Sequence, residues 1–212
     1  MLVIKVSQSG IVKAISEAVE VVGQGGIVAF PTETFYGLGV KYDNISVLER
    51  LYEIKHRPKE KAMPLIIGDR KMLGLVAASV SAIAEKLMDR FWPGPLTVLL
   101  NAIEGLSGFI TAETGKVAVR IPGSSFALEF VKSLAYPVTA TSANISGMPP
   151  ADNAADLVRY FYDRIDMLID GGKTRGGKPS TIVDATGEGI RILRPGAVPD
   201  EEIREFIRSI KR

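Results

Sequence analysis

The sequence predicts an α/β fold in which helices pack on a twisted, mixed β-sheet. Three observations point there. Along the chain, apolar residues switch repeatedly between strand-like and helix-like spacing. The Gly- and Pro-rich segments are short and lie between apolar runs, and no linker, fixed-period repeat or low-complexity tract divides the chain. Finally, 212 residues of which 46% are hydrophobic can bury a substantial core, so one domain spanning 1–212 is expected.

Taken in order, Leu2–Val6 reads as a strand. Val12, Ile15, Val19 and Val22 line one helical face, with Ser9 as cap and Gly25-Gly26 as stop. Ile27–Phe30 is a second strand, ended by Pro31. Ser46–Lys55 is a helix that buries Val47, Leu48, Leu51 and Tyr52. Leu65–Ile67 is a buried strand, and two short helices fill Lys71–Arg90. A strand at Leu96–Leu100 and another at Val117–Ile121 follow. Then come a helix at Ser124–Leu134, a strand at Val138–Thr141 and a helix from its cap Asp152 to about Tyr162. Strands at Met167–Ile169, Thr181–Val183 and Gly189–Leu193 precede a last helix at about 200–210.

Composition narrows the chemistry. With 26 basic and 24 acidic residues the net charge is only +2, so any basic site must be local. The absence of cysteine excludes disulfides, thiolate metal sites and cysteine nucleophiles, and a single histidine argues against a histidine-rich metal centre or a Ser-His-Asp triad. MLVIKVSQSG lacks the pattern of a signal peptide, and the longest weakly charged stretch, Met72 to Ala84, is too short to span a bilayer. A soluble, cytoplasmic protein with no membrane partner is the expectation.

Ligands of open α/β sheets gather where strands end, and four strand ends here are chemically unusual. They are PTETFYGLG (31–39), Arg120 within VAVRIPG (117–123), TSANISG (141–147), and GGKTRGGKPSTIVD followed by RILRPGA (191–197). A fifth segment, Lys55 to Lys61, places six residues that are charged or histidine among seven. Each has an ordinary reading beside a functional one. PTET can be a turn, Arg120 can face solvent from an edge strand, Ser142 and Asn144 can cap a helix, and a charge run is usually solvated surface. GKTRGGK matches the first seven positions of a Walker A loop. Pro179 then stands where Mg²⁺ binding needs Ser or Thr, and a strand follows instead of a helix, so no P-loop is expected.

In combination these segments resemble the YrdC-like family of threonylcarbamoyl-AMP synthases. The resemblance is carried by PTETFYGLG, KHRP (55–58), PLII (64–67), FWPGPLTVLL (91–100), VAVRIPG, TSANISG, PSTIVD (179–184) and RILRPGA, and is strongest over 10–197. It implies a YrdC-like twisted mixed β-sheet with flanking helices around a concave, positively lined cleft. It also implies the short, single-domain type without a second C-terminal domain. The implied reaction condenses L-threonine, bicarbonate or CO₂, and ATP into threonylcarbamoyl-AMP and pyrophosphate. A downstream threonylcarbamoyl transferase would then act on the adenosine beside the anticodon of certain tRNAs.

The family signature assigns the nucleotide and catalysis to Lys55, Arg57, Ser142 and Asn144, with Lys116, Pro150 and Arg194 as further ATP contacts. Charge developing at the α-phosphate is what positioned cations stabilise. In extended geometry Lys55 and Arg57 would point the same way and His56 elsewhere, and the same period would put Ser142 and Asn144 on one side. Arg120 is the natural clamp for the threonine carboxylate, because a guanidinium donates two parallel bonds. By family position Thr34, Ala140 and Ser180 complete the amino-acid pocket, with Thr32 beside them. Mg²⁺ would travel with ATP and not in a protein cage. Two departures stand out. Met63 and Gly68 occupy positions where many relatives carry Asn and His, and the loop before Pro64 is longer; Lys61 is the candidate replacement. Two other readings are a module that binds double-stranded RNA or tRNA without turnover, and the related carbamoyl-adenylate chemistry of hydrogenase maturation proteins. Near-neutral charge argues against the first, and the absence of zinc-finger and acylphosphatase modules against the second.

Overall fold

A computed structural model describes residues 1–7 and 10–210. Where one twisted sheet was expected, the strands form two. The first has the order β1 (Leu2–Lys5), β10 (Met167–Asp170), β2 (Val28–Pro31), β3 (Tyr36–Gly39) and β9 (Thr141–Ser142). The second runs β12 (Arg191–Arg194), β11 (Thr181–Asp184), β6 (Leu96–Ala102), β7 (Lys116–Arg120), β4 (Leu65–Ile66) and β8 (Val138–Thr139), with β5 (Ala77–Ser79) paired to the far end of β6. Both sheets mix parallel and antiparallel pairs.

The expected strand at Val138–Thr141 is divided between the sheets. Val138–Thr139 pairs with β4 and Thr141–Ser142 with β3. Ala140 is therefore the corner at which the chain changes sheets, its N–H bonded to the carbonyl of Pro64 at 2.9 Å. YGLG, expected as loop, is strand β3. Its glycines fooled the periodicity, and the reason for Gly39 is packing: a Cβ there would stand 2.5 Å from the Phe30 ring.

Alternation along each strand decides what each face covers. In the first sheet Val28, Phe30, Met167 and Ile169 join a core with α1 (Ile11–Gly23) and α5 (Phe126–Lys132), while Ile27, Ala29 and Leu168 face the main core. Phe30 packs on Phe130 with centroids 5.3 Å apart. In the second sheet Leu96, Val98, Leu100, Val117, Val119 and Val183 enter the main core. The helices α2 (Ile45–Lys55), α3 (Ala82–Phe91), the short α4 (Gly108–Thr111), α6 (Ala154–Phe161) and α7 (Asp200–Ile210) add buried side chains to it, and α3 meets α7 through the edge-on pair Phe91–Phe206. The other face of the second sheet carries Thr97, Leu99, Ala118, Arg120, Ile182 and Leu193, and is left open as the floor of a cavity.

Helix boundaries follow their caps. Asn44 accepts from the N–H of Val47 at the start of α2, and Ser81 from Ala84 at α3. At α6 the cap is Asn153 and not the expected Asp152; its Oδ1 accepts from Asp156 N at 3.0 Å. The proposed cap Ser9 lies outside the described residues. Between 70 and 91 only the second expected helix is α-helical; Arg70–Leu75 is a 3₁₀ turn, with β5 between them. No described helix is long and apolar enough to cross a membrane.

Candidate active site

The open face of the second sheet and the β3–β9 edge of the first enclose a cavity of about 420 Å³, within the size range of ligand sites. Nine residues singled out from the sequence line it: Thr32, Thr34, Arg57, Arg120, Ala140, Ser142, Pro150, Ser180 and Arg194. Three arginines thus face one space that has no carboxylate among its lining residues. Burial lowers the pKa of Arg194, and the neighbouring Arg120 and Arg57 lower it further. That mutual repulsion is what an anionic ligand relieves, since guanidinium groups stay protonated.

Each arginine is held differently. Arg120 lies on a central strand, between β6 and β4, and is 6% exposed. The edge-strand reading is thus excluded. Its Nη1 donates to Oε1 of Glu33. Burial pushes this guanidinium down, and the Glu33 charge opposes the shift. Arg194 is steered by Ser180: Nη2 donates to the Ser180 carbonyl at 2.7 Å and to its Oγ at 3.1 Å. Ser180 Oγ also shares a hydrogen bond with Thr97 Oγ1 at 2.9 Å. Arg57 is tethered by its own loop, with Nε donating to Lys61 O at 2.9 Å and Nη2 to Ala62 O at 2.7 Å. Tyr52 closes that loop by donating to Lys61 O at 2.6 Å.

Lys55 departs from the expected geometry. It is not in an extended segment beside Arg57 but is the last residue of α2, which His56 ends in the left-handed region with φ +48°. The turn at His56 sends Lys55 inward and Arg57 to the cavity, and leaves His56 itself exposed. Lys55 is 2% exposed; its Nζ donates to the carbonyls of Ser142 at 2.5 Å and Asn144 at 2.6 Å. Burial, and then the nearby Arg57, lowers its pKa to about 7. Ser142 Oγ donates to Asn144 Oδ1 at 2.6 Å, and Asn144 Nδ2 to the carbonyls of Ile145 and Met148. Lys55, Ser142 and Asn144 are therefore one hydrogen-bonded unit, of which Ser142 reaches the cavity.

Lys116 is on the cavity face of β7 but at the opposite end from Arg120, outside the lining. Its Nζ binds Asp184 at 2.8 Å. Burial raises the Asp184 pKa, but hydrogen bonds from Lys116 and Thr186 outweigh it, so the carboxyl sits below its ordinary value. Lys61 does not reach the cavity with its side chain; it contributes the carbonyl that holds Arg57. Met63 is fully buried in the core, and a Cβ at Gly68 would stand 2.5 Å from the carbonyl oxygen of Val131. These two departures are thus packing choices of this chain.

A larger cavity of about 890 Å³ lies behind the threonine-rich loop and is lined by Glu33, Thr32, Thr34, Lys173, Arg175 and Lys178 among others. We place the chemistry in the smaller one because all three converging arginines are there. In the GKTRGGK loop the Gly176 and Thr174 N–H groups are already bonded to the carbonyls of Thr34 and Asp152. Tyr36 ties the same loop to β3, donating to Gly172 O at 2.7 Å and accepting from Gly171 N at 3.1 Å, and burial lifts its phenol to about 12. Sequence reasoning missed Glu33, Tyr36, Thr97 and Leu193 at this site. Glu33 and Tyr36 stood within a motif already singled out, but nothing linear shows that Glu33 meets a residue 87 positions away.

Comparison with known proteins gives a consistent picture. The Sua5/YciO/YrdC family model, described as telomere recombination, matches residues 20–196. The chain is 40% identical over 188 residues to a threonylcarbamoyl-AMP synthase of Pyrococcus abyssi, covering 89% of this chain and 55% of that protein. It is 35% identical over 197 residues to one of Bacillus subtilis, covering 92% and 57%. The chain therefore spans little more than half the length of these curated relatives. Among solved structures, P. abyssi Sua5 complexed with L-threonine superposes with a TM-score of 0.92 at 38% identity, covering 98% of this chain and 61% of that one.

Proposed function

Because the chain belongs to the Sua5/YciO/YrdC family, we propose that it condenses L-threonine, bicarbonate or CO₂, and ATP into threonylcarbamoyl-AMP and pyrophosphate. This would be the first step of threonylcarbamoyladenosine formation in tRNA, followed by a transferase that consumes the adenylate. The observation that carries the reading is the convergence of Arg57, Arg120 and Arg194 on one cavity with hydroxyl groups at Thr34, Ser142 and Ser180 and no lining carboxylate. Such a site suits a polyphosphate and a carboxylate together.

In this reading Arg120 takes the threonine carboxylate, and Thr32, Thr34, Ala140 and Ser180 surround the rest of the amino acid. A pocket that hydrogen-bonds the threonine hydroxyl rejects valine more strongly than shape alone does. The amine, once deprotonated, attacks CO₂ to form an N–C bond and, after loss of its second proton, a carbamate. A carbamate oxygen then attacks the α-phosphorus, and the bond to pyrophosphate breaks. Arg57 and Arg194, with Pro150 and Ser142 beside them, hold the phosphates and stabilise the charge that spreads over their oxygens. Lys55 and Asn144 act by fixing Ser142. Mg²⁺ would travel with ATP, ligated by phosphates and water.

Pyrophosphate release tests this, with threonine and bicarbonate each supplied or omitted. Release that needs both, and that fails with valine, is expected. Release independent of threonine would refute the proposed reaction.

A further inference from the structure

We propose that Glu33 binds the α-ammonium group of the amino-acid substrate while Arg120 takes its carboxylate. This inference rests on reading the cavity as an amino-acid site. The two side chains are already in contact and nearly enclosed, 14% and 8% exposed. Only half of the glutamate is used. Oε1 accepts from Arg120 Nη1, whereas Oε2 is buried and has no hydrogen-bond partner. It is the one buried side-chain polar atom so left among the described residues. Such an acceptor is costly unless a donor arrives.

Charge makes the same point. An amino acid carries an ammonium and a carboxylate on neighbouring carbons, and a guanidinium touching a carboxylate is the same pair with the signs reversed. The lining offers three arginines but no carboxylate, so a substrate ammonium has no anionic partner there unless Glu33 supplies one. Arg120 gives Glu33 one nitrogen, and its planar fork leaves further N–H groups for a second carboxylate. The glutamate belongs to the partition between the two cavities: Thr32 and Thr34 line both, and Glu33 the larger. Its backbone is fixed by Thr32, whose Oγ1 donates to Phe35 O at 2.7 Å and accepts from Thr34 N at 3.1 Å. The terminal carboxylate torsion is soft and roughly two-fold, so Oε2 can turn toward an arriving donor without moving the loop.

Calorimetric binding of L-threonine and of 3-hydroxybutyrate, which keeps the carboxylate, hydroxyl and methyl but lacks the amine, separates this role from a structural one. Glu33→Gln retains a neutral acceptor for Arg120. It should weaken threonine about tenfold or more, the effect of losing one charge-assisted bond, and leave 3-hydroxybutyrate and ATP nearly unchanged. Glu33→Asp keeps the charge and should keep the preference for threonine, which preserves the test should the glutamine variant fail to fold. Equal weakening of both ligands would overturn the inference, because Glu33 would then act only through Arg120. Tighter threonine binding would overturn it too, since Glu33 would be a competitor for Arg120. A wild-type protein that binds no threonine would remove the amino-acid reading itself.

Discussion

Lys55→Met tests whether Lys55 is a buried staple or a permanent cation. In the folded chain its pKa is lowered to about 7 from 10.5, chiefly by burial, whereas the unfolded chain keeps the ordinary value. Between those limits the unfolded state binds a proton that the native state has released, so stability rises with pH. Below about pH 7 both states are protonated and the penalty is fully present. Each pKa unit of difference is worth about 1.4 kcal/mol, and Lys55 is 2% exposed, so solvent screening removes little. Allowing for the remaining protonation near pH 7, wild type should gain about 2 kcal/mol relative to the variant between pH 7 and pH 9. Methionine also strips the donor from the carbonyls of Ser142 and Asn144. That loss, about 1–3 kcal/mol per carbonyl, is independent of pH and only offsets the curve. Urea unfolding of both proteins at half-unit intervals from pH 6 to 9 gives the difference directly. A difference that stays flat across pH 7 to 9 would show that Lys55 keeps its charge on folding and would refute the lowered pKa, whereas a constant offset measures the bonds to Ser142 and Asn144.

The other predictions concern single side chains. Arg57→Ala should lower turnover about tenfold to a thousandfold, as expected for losing one charge-stabilising donor; steady-state kinetics with unchanged turnover would remove its role. Arg120→Ala should raise KM for threonine far more than KM for ATP. It should also cost on the order of 3 kcal/mol of stability, because Glu33 is left enclosed without its cation. His56→Gly should leave turnover within about twofold and raise the melting temperature slightly, since its role is the left-handed turn. Gly68→His should destabilise by about 1–3 kcal/mol, because a Cβ there meets the Val131 backbone at 2.5 Å.

Much of the fold was legible because burial writes its period into the chain. The alternation of Val117, Val119 and Ile121 against Ala118 and Arg120 already separates the core face of β7 from its cavity face. What was not legible is the division into two sheets. It turns on Ala140 alone, within a run that reads as one strand, and on which edge each half pairs with. β3 was hidden because Gly37 and Gly39 carry no side chain to alternate. For the site, motif positions brought nine residues to one cavity, but the orientation expected from extended spacing failed at Lys55. The spacing held in sequence, while a single left-handed residue at His56 reversed what it meant in space. Glu33 was invisible as a partner of Arg120 because an ion pair across 87 positions leaves no local trace.

The most direct test is the identity of the product formed from ATP, threonine and ¹³C-labelled bicarbonate. The account predicts an acid-labile adenylate containing threonine, AMP and the labelled carbon, formed in equal amount with pyrophosphate. Threonyl-AMP without the label, or ADP and phosphate in place of pyrophosphate, would contradict it.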